Sequence, residues 1–167
     1  IVHLAGKNRD ENENEIYNSN IQLVEKLIKS FENNVVSPHV VFASSTQESN
    51  KSVYGKSKLK ARELLENWAR ENNSVMTSLM IPNVFGPFGK PYYNSFISTF
   101  CYQFTHNEEP NILSDSKKKL IYIDNLVKVI FEILHSNNSG VSVIKIPFDV
   151  EKYVSEIFSL LNEFYKK

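Results

Sequence analysis

The sequence has few of the residues that mark several common protein classes. Only 5 of its 167 residues are glycine, and Cys101 is the single cysteine, so no disulfide can form within the chain and a cytoplasmic location is expected. Lys+Arg and Asp+Glu both number 19, which does not favour a nucleic-acid-binding surface. No apolar run approaches the ~18 residues of a membrane span, and no signal peptide is visible. We therefore expect neither nucleic acid nor a membrane as a partner.

The residues that are present favour a single folded domain. Hydrophobic residues make up 41% and aromatic residues 12% of the chain, which is enough to bury a core in one domain. Cys101 lies in the apolar run STFCYQF, where we expect a buried small side chain. The chain begins with Ile1 and an apolar, strand-like stretch, so we expect it to be part of a longer protein.

Short apolar runs alternate with segments of 3.6-residue periodicity, a pattern typical of strands joined by crossover helices. The sequence thus predicts an α/β fold with a Rossmann-like, doubly wound parallel sheet. The predicted strands cover Ile1–Ala5, His39–Ser44, Ser74–Ile81, Lys119–Ile123 and Val141–Phe148, and the predicted helices cover Glu11–Glu32, Tyr54–Glu71, Asn94–His106, Asp124–His135 and Glu151–Tyr165.

Candidate catalytic residues follow the second predicted strand. Ligands of such sheets bind beyond the carboxyl ends of the strands, and Ser45 lies at that end. Tyr54 follows nine positions later, close enough for the loop to bring the two hydroxyls together. Lys58 lies one helical turn beyond Tyr54 on the same face, where its charge could lower the tyrosine pKa. A serine hydroxyl could then polarise a substrate carbonyl while the tyrosine transfers a proton.

Each of these residues also has a simpler interpretation. A Tyr-x-x-x-Lys match is expected about once by chance in such a composition, so Tyr54 and Lys58 could lie on a solvated helix face. Ser45 could cap the end of its strand. Lys117–Lys119 could be a solvated strand rather than a phosphate site. The four histidines show no metal-ligand spacing, and no metal is expected.

Several motifs, in this order, resemble the extended branch of the short-chain dehydrogenase/reductase family, the NAD-dependent epimerases and dehydratases. They cover almost the whole chain. HLAG resembles the strand end beside the cofactor, and Asn20 matches the family's helix asparagine. FASST resembles the strand that carries the catalytic serine, and YGKSK matches Tyr-x-x-x-Lys. PNVFGP resembles the loop that meets cofactor and sugar, and YIDNLVKVI resembles a strand-to-helix element of the family.

The resemblance implies a role for each matched residue. Catalysis would fall to Ser45, Tyr54 and Lys58. The matched cofactor-binding residues are Leu4, Ala5, Gly6, Tyr54, Lys58 and Pro82, and the matched substrate-binding residues are Thr46, Asn83 and Lys118. The implied cofactor is NADP or NAD, with NADPH favoured.

A narrower resemblance is to the reductase domain of bifunctional capsular-polysaccharide enzymes that make UDP-N-acetyl-L-fucosamine. It rests on AGKNR, on the short serine-to-tyrosine loop and on the segment from Phe88 to Pro110. It implies reduction of the 4-keto group of a UDP-linked deoxy-amino-sugar, a homodimer paired through the helices Glu11–Glu32 and Tyr54–Glu71, and a cupin domain that follows in the full-length protein.

The sequence departs from the family pattern at several points. No Gly-x-Gly-x-x-Gly turn is present among the five glycines, so the first βαβ units, which hold the cofactor pyrophosphate, are expected to lie outside this sequence. Met80 stands where the family often has arginine, and Asn125 replaces its second aspartate. Thr46, Gln47 and Glu48 lack the aspartate of a dehydratase. The alternatives are a nucleotide-sugar epimerase or dehydratase, an inactive remnant, or an interaction module.

Overall fold

A computed structural model describes residues 1–167. Its strands are β1 (Val2–His3), β2 (Val40–Ser45), β3 (Met76–Ile81), β4 (Asn83–Phe85), β5 (Lys117–Tyr122), β6 (Val141–Lys145) and β7 (Val150–Tyr153). Its helices are α1 (Glu13–Asn34), α2 (Val53–Glu71), α3 (Phe96–Thr105), α4 (Ile123–His135) and α5 (Val154–Tyr165), with a 3-10 helix at Thr46–Ser49. None of the helices is both long enough and apolar enough to cross a membrane.

The strands form two sheets. The first has the order β1-β2-β3-β6 with every neighbouring pair parallel, and the second has the order β4-β5-β7. In the second sheet β4 runs parallel to β5, and β7 is antiparallel to β5. The predicted α/β class and parallel sheet are therefore confirmed by the first sheet.

The chain divides into two compact units. The first unit contains Ile1–Ile81 and Ile130–Ile146, and the second contains Pro82–Val129 and Pro147–Lys167. The first unit holds the parallel sheet, on which α1 and α2 pack side by side. Their buried stripes meet where the ring centroids of Phe31 and Trp68 lie 4.7 Å apart. Burial of such apolar stripes is what stabilises helices of this kind on a sheet.

The second unit has a smaller core of its own. Phe100 and Phe104 of α3 and Val154 of α5 are buried there, with Phe158 packed against them. The ring centroids of Phe100 and Phe158 are 5.7 Å apart in an edge-to-face arrangement, which is a favoured geometry for aromatic pairs. This contact joins α3 to α5.

The second sheet was not predicted. The strand expected at Lys119–Ile123 was assigned to the parallel sheet, but β5 pairs with β4 and β7 instead. Residues 83–85 were predicted as loop and form β4, and residues 151–153 were predicted as the start of the last helix but form most of β7. Both strands are too short to show an alternating pattern, so only pairing with β5 decides their conformation.

Two local predictions were also wrong. The fourth helix was predicted to begin at Asp124, but α4 already begins at Ile123, which places Asp124 in its first turn. Cys101 was expected to be buried and is exposed. On α3 the buried positions are Phe100 and Phe104, one helical turn apart, and the residue after Phe100 is rotated by about 100° away from that stripe.

Candidate active site

The predicted catalytic serine lies at the carboxyl end of the parallel sheet. Ser45 is the last residue of β2, pairs with Ile81 at the end of β3, and is 8% exposed. Its hydroxyl also caps the 3-10 helix, because it accepts a hydrogen bond from the Gln47 backbone N–H at 3.1 Å. The capping interpretation is thus observed, and it leaves the hydroxyl proton of Ser45 free to be donated elsewhere.

Close packing at Gly55 brings the tyrosine back toward this serine. Helix α2 begins after Ser52, whose hydroxyl accepts from the Gly55 N–H at 3.1 Å. A Cβ atom on Gly55 would lie 2.1 Å from the Gln47 carbonyl oxygen. Only glycine allows the first turn of α2 to approach the 3-10 helix so closely, and this approach sets the path of the nine-residue segment from Ser45 to Tyr54.

Tyr54 is partly buried beside Ser45. Burial raises the pKa of the Tyr54 phenol above its ordinary value of 10.0, and a hydrogen-bonding interaction with the Ser45 hydroxyl partly offsets the rise. The structure therefore brings the two hydroxyls together, as predicted. The expected lowering of this pKa by Lys58 is not seen, because burial dominates and the net shift is upward. At neutral pH the phenol keeps its proton.

Lys58 is buried in an unusual setting for an ammonium group. It is 4% exposed, and its Nζ lies 4.4 Å from the centroid of the Phe42 ring. Burial lowers the pKa of Lys58 from 10.5 to about 8, although the negative charge of Glu48 acts in the opposite direction. A buried lysine whose charge has so little stabilisation from neighbouring groups is uncommon unless a ligand completes its contacts.

Asn20 and Ser57 connect the tyrosine helix to the loop after β1. Asn20 Nδ2 donates to the Ser57 hydroxyl at 2.8 Å, and that hydroxyl donates to the Tyr54 carbonyl at 2.7 Å. Asn20 also bonds both backbone groups of Lys7, accepting from its N–H at 2.7 Å and donating to its carbonyl at 2.8 Å. Both side chains are buried, so this network holds the start of α2 and residues 6–7 in a defined geometry.

Three of the matched cofactor-binding residues lie in the loop after β1. Leu4, Ala5 and Gly6 follow β1 and are exposed. A Cβ atom on Gly6 would lie 3.4 Å from Asn20 Oδ1 and 3.5 Å from Lys58 Nζ, so Gly6 keeps the surroundings of the ammonium group open. Thr46, the first residue of the 3-10 helix, is exposed too.

The other predicted site residues belong to the second unit. Pro82 is buried, and Asn83 is exposed and begins β4. Asn83 Nδ2 donates to the Lys119 carbonyl at 3.1 Å. Lys118 lies half-buried in β5 opposite Lys152. Within this unit, Asn83 and Lys118 therefore lie on neighbouring strands.

Asn125, which departs from the family pattern, has a structural partner. Its Nδ2 donates to Asp149 Oδ1 at 3.1 Å, while Asp149 Oδ2 accepts from the Tyr122 N–H at 2.6 Å. An asparagine supplies a donor where an aspartate would place a second negative charge beside Asp149. The departure thus has a local explanation within the second unit.

One charged cluster was missed from the sequence. The Glu48 carboxylate of the 3-10 helix is bound by Arg62 of α2, which also bonds Glu66. Glu48 and Arg62 lie 14 positions apart and in different elements, so no periodicity could have paired them. Arg62 and Glu66 are four positions apart on one helix and form an ordinary pattern for an ion pair.

The family follows from comparison with known proteins. A model of the NAD-dependent epimerase/dehydratase family matches residues 1–146. The chain belongs to this family. The family is described as that of NAD-dependent epimerases and dehydratases.

Two relatives resemble the chain over nearly its full length. A UDP-2-acetamido-2,6-beta-L-arabino-hexul-4-ose reductase from Pseudomonas aeruginosa is 29% identical over 98% of the chain, which spans 44% of that protein. The capsular polysaccharide assembling protein CapF from Staphylococcus aureus is 32% identical, with a TM-score of 0.81 over 99% of the chain and 45% of that protein. The chain thus spans less than half the length of both relatives.

A more distant solved structure shares the fold. UDP-glucose 4-epimerase from Thermotoga maritima has a TM-score of 0.86 at 23% identity, over 99% of this chain and 60% of the epimerase. The Rossmann-like fold predicted from the sequence is thereby confirmed.

Proposed function

We propose that the chain carries the catalytic part of an NAD(P)H-dependent reductase acting on the 4-keto group of a UDP-linked deoxy-amino-sugar. The observation that carries this proposal is the grouping of Ser45, Tyr54 and Lys58 at the carboxyl end of a parallel sheet. Support also comes from the 29% identity to a reductase that acts on a UDP-linked 4-ketosugar. The similarity to the capsular polysaccharide assembling protein CapF suggests that the product would enter capsule or surface polysaccharide.

Tyr54 is the proposed proton donor. Reduction of a ketone adds a hydride to carbon and a proton to oxygen, so the acid must be protonated before the reaction. Because burial raises the Tyr54 pKa, the phenol carries its proton at neutral pH. As negative charge develops on the carbonyl oxygen, transfer of this proton gives the neutral alcohol.

Ser45 is proposed to hold the same oxygen. Its lone pairs already accept the Gln47 N–H, so its proton can be directed toward the substrate carbonyl. A donor fixed in this way stabilises the charge that develops in the transition state. Thr46, Asn83 and Lys118 are proposed to contact the sugar nucleotide.

Lys58 is proposed to bind the ribose hydroxyls of the cofactor. Its Nζ lies 4.4 Å from the centroid of the Phe42 ring, and Gly6 leaves space beside it. A bound reduced nicotinamide would supply the hydride. Its pyrophosphate would need a glycine-rich turn, which none of the five glycines of this sequence forms.

Dehydration is the less favoured alternative. A dehydratase needs a free acid or base beside the sugar, and Glu48 is the carboxylate that follows the serine strand here. Arg62 and Ser44 bind both Glu48 oxygens, so this carboxylate is engaged in structural contacts. Epimerases share the Ser-Tyr-Lys grouping, so the reaction product is the measurement that distinguishes an epimerase from a reductase.

The test uses the natural protein that contains this sequence. We expect NADPH, and more weakly NADH, to be consumed with a UDP-linked 4-keto-6-deoxy-amino-sugar, and the product to gain two hydrogen masses. Tyr54→Phe should lower kcat by about 10³-fold without changing the melting temperature.

Tyr165→Phe is the matched control, since Tyr165 lies at the end of α5 and is 50% exposed. Full turnover in Tyr54→Phe would overturn the proposed role. A product isomeric with the substrate would favour an epimerase, and no cofactor binding by the natural protein would favour an interaction module.

A further inference from the structure

A buried carboxylate connects the two elements that carry the catalytic hydroxyls. Glu48 belongs to the 3-10 helix, and its side chain is 5% exposed. One of its oxygens accepts a hydrogen bond from the hydroxyl of Ser44 in β2. The same carboxylate accepts from Arg62 of α2, with Nε 3.1 and 3.0 Å from its two oxygens and Nη2 2.9 Å from Oε2.

The two partners of Glu48 are close in sequence to the proposed catalytic residues. Ser44 immediately precedes Ser45, and Arg62 lies two helical turns beyond Tyr54 on α2. Glu48 therefore links β2, which ends at Ser45, to α2, whose first turn contains Tyr54. A forked arginine–carboxylate contact defines orientation as well as distance, and small displacements of reacting groups are costly in rate.

Arg62 also contacts the next carboxylate of the cluster. Arg62 Nη1 lies 2.5 Å from Glu66 Oε1, and Arg70 Nη2 lies 3.2 Å from Glu66 Oε2. Glu66 is 8% exposed. Acidic and basic side chains thus alternate in a row with no net charge: Glu48, Arg62, Glu66 and Arg70. Within this row, Glu48 is hydrogen-bonded to Ser44 of β2.

Glu48 also lies within electrostatic reach of the catalytic lysine. Lys58 is faced by Phe42 from β2 and by His3 from β1, and Tyr54 lies one turn earlier on its own helix. Glu48 supplies the negative charge that favours the charged form of Lys58. His3 and Tyr54 supply no negative charge at neutral pH.

We propose that Glu48, oriented by Arg62, is a positioning residue of the active site that sets the distance between Ser45 and Tyr54 and balances the buried charge of Lys58. This inference rests on the proposed function and extends it, because the reductase resemblance assigns no role to Glu48. A buried ion pair by itself is weak evidence for stability, and the location of this pair is what gives it a role in catalysis.

The test compares three substitutions in the natural protein. Glu48→Gln keeps the shape and hydrogen-bonding capacity of the side chain and removes its charge. Glu66→Gln makes the same change in the next carboxylate of the row, and Glu63→Gln makes it at an exposed position of α2. We expect Glu48→Gln to lower kcat about tenfold, since it weakens a charge-assisted contact. The KM for the sugar should change less than about twofold, and the two controls should retain kcat within about twofold.

A second measurement does not depend on turnover. The titration of Lys58 can be followed by carbon-13 NMR of its Cε, with Lys58→Arg to assign the signal. Loss of the Glu48 charge should move the titration of Lys58 to lower pH, whereas Glu66→Gln and Glu63→Gln should move it less. Should Glu48→Gln fail to fold, the double variant Glu48→Gln/Arg62→Gln removes both charges and takes its place.

The outcomes separate this inference from the proposed function. An unchanged kcat and an unchanged Lys58 titration in folded Glu48→Gln would overturn it. An equal loss of kcat in Glu66→Gln would do so too, because the effect would then be one of general stability. If the natural protein reduces no ketosugar and the Lys58 titration still moves only in Glu48→Gln, the proposed function fails while the positioning of Lys58 by Glu48 is supported.

Discussion

The proposed catalytic residues of the first unit, Ser45, Tyr54 and Lys58, are buried or partly buried, whereas the proposed substrate contact Asn83 of the second unit is exposed. Ser45 and Lys58 are 8% and 4% exposed, and the backbone around Tyr54 is bonded through Ser57 to Asn20. In the second unit Asn83 is exposed and makes a single side-chain hydrogen bond, to the Lys119 carbonyl. The two regions therefore differ in how many contacts hold each candidate residue.

This difference agrees with the tasks proposed for the two regions. Proton transfer requires groups held at fixed distances with perturbed pKa values, and burial supplies both. Contacts to a sugar nucleotide can be made by exposed side chains that adjust to the ligand. Substitutions in the first unit should consequently change stability and kcat, and those in the second unit should change KM alone.

The largest effect is expected from Gly55→Ala. The added Cβ would lie 2.1 Å from the Gln47 carbonyl oxygen, so the first turn of α2 must move away from the 3-10 helix. We expect the free energy of unfolding in urea to fall by roughly 2 to 3 kcal/mol, with a large loss of kcat.

Gly140→Ala is the control for this substitution. A Cβ on Gly140 has no neighbour within 4 Å, and its φ of +60° makes the change cost only backbone strain, about 1 kcal/mol. If Gly55→Ala proved no more destabilising than Gly140→Ala, close packing at Gly55 would not be what holds the first turn of α2 against the 3-10 helix.

The next effect concerns the buried charge of Lys58. Its pKa in the folded chain is about 8, below the ordinary 10.5, so folding opposes its protonation. The resulting penalty is fully present below pH 8 and disappears as the pH rises toward 10.5. Lys58→Met should therefore raise the free energy of unfolding at pH 7 by about 1 to 3 kcal/mol while it abolishes cofactor binding.

Denaturation at several pH values measures this gain. The difference between Lys58→Met and the unsubstituted protein should shrink between pH 8 and 10.5. Lys60→Met is the control, since Lys60 is exposed on the same helix and should show no such trend. A gain that is equal at all pH values would mean that the side-chain charge is not what destabilises the fold.

The smallest effect on stability is expected from Asn83→Ala in the second unit. Loss of one exposed hydrogen bond should lower the free energy of unfolding by about 0.5 kcal/mol or less, whereas the KM for the sugar nucleotide should rise about tenfold. Asn34→Ala removes a comparable exposed bond, from Asn34 Nδ2 to the Ser30 carbonyl, and serves as the control. A fall in kcat at constant KM would contradict the assignment of Asn83 to binding.

Much of the first unit was predictable because its elements are long and periodic. The spacing of apolar residues predicted α1 and α2 to within a few residues, and the runs around Val40–Ser45 and Met76–Ile81 predicted the central strands. The resemblance identified Asn20, whose contacts the structure then supplied. Short strands gave no such signal, so β4 and β7 were missed.

The sequence by itself determined the α/β class, the family motifs and the proximity of Ser45 to Tyr54, because each depends on local periodicity or on residues close together in the chain. Tertiary structure alone decided the second sheet, the pairing of Glu48 with Arg62 and the sign of the Tyr54 pKa shift. These features depend on which side chains meet across elements and on how much water burial removes, and neither quantity is encoded in the spacing of residues along the chain.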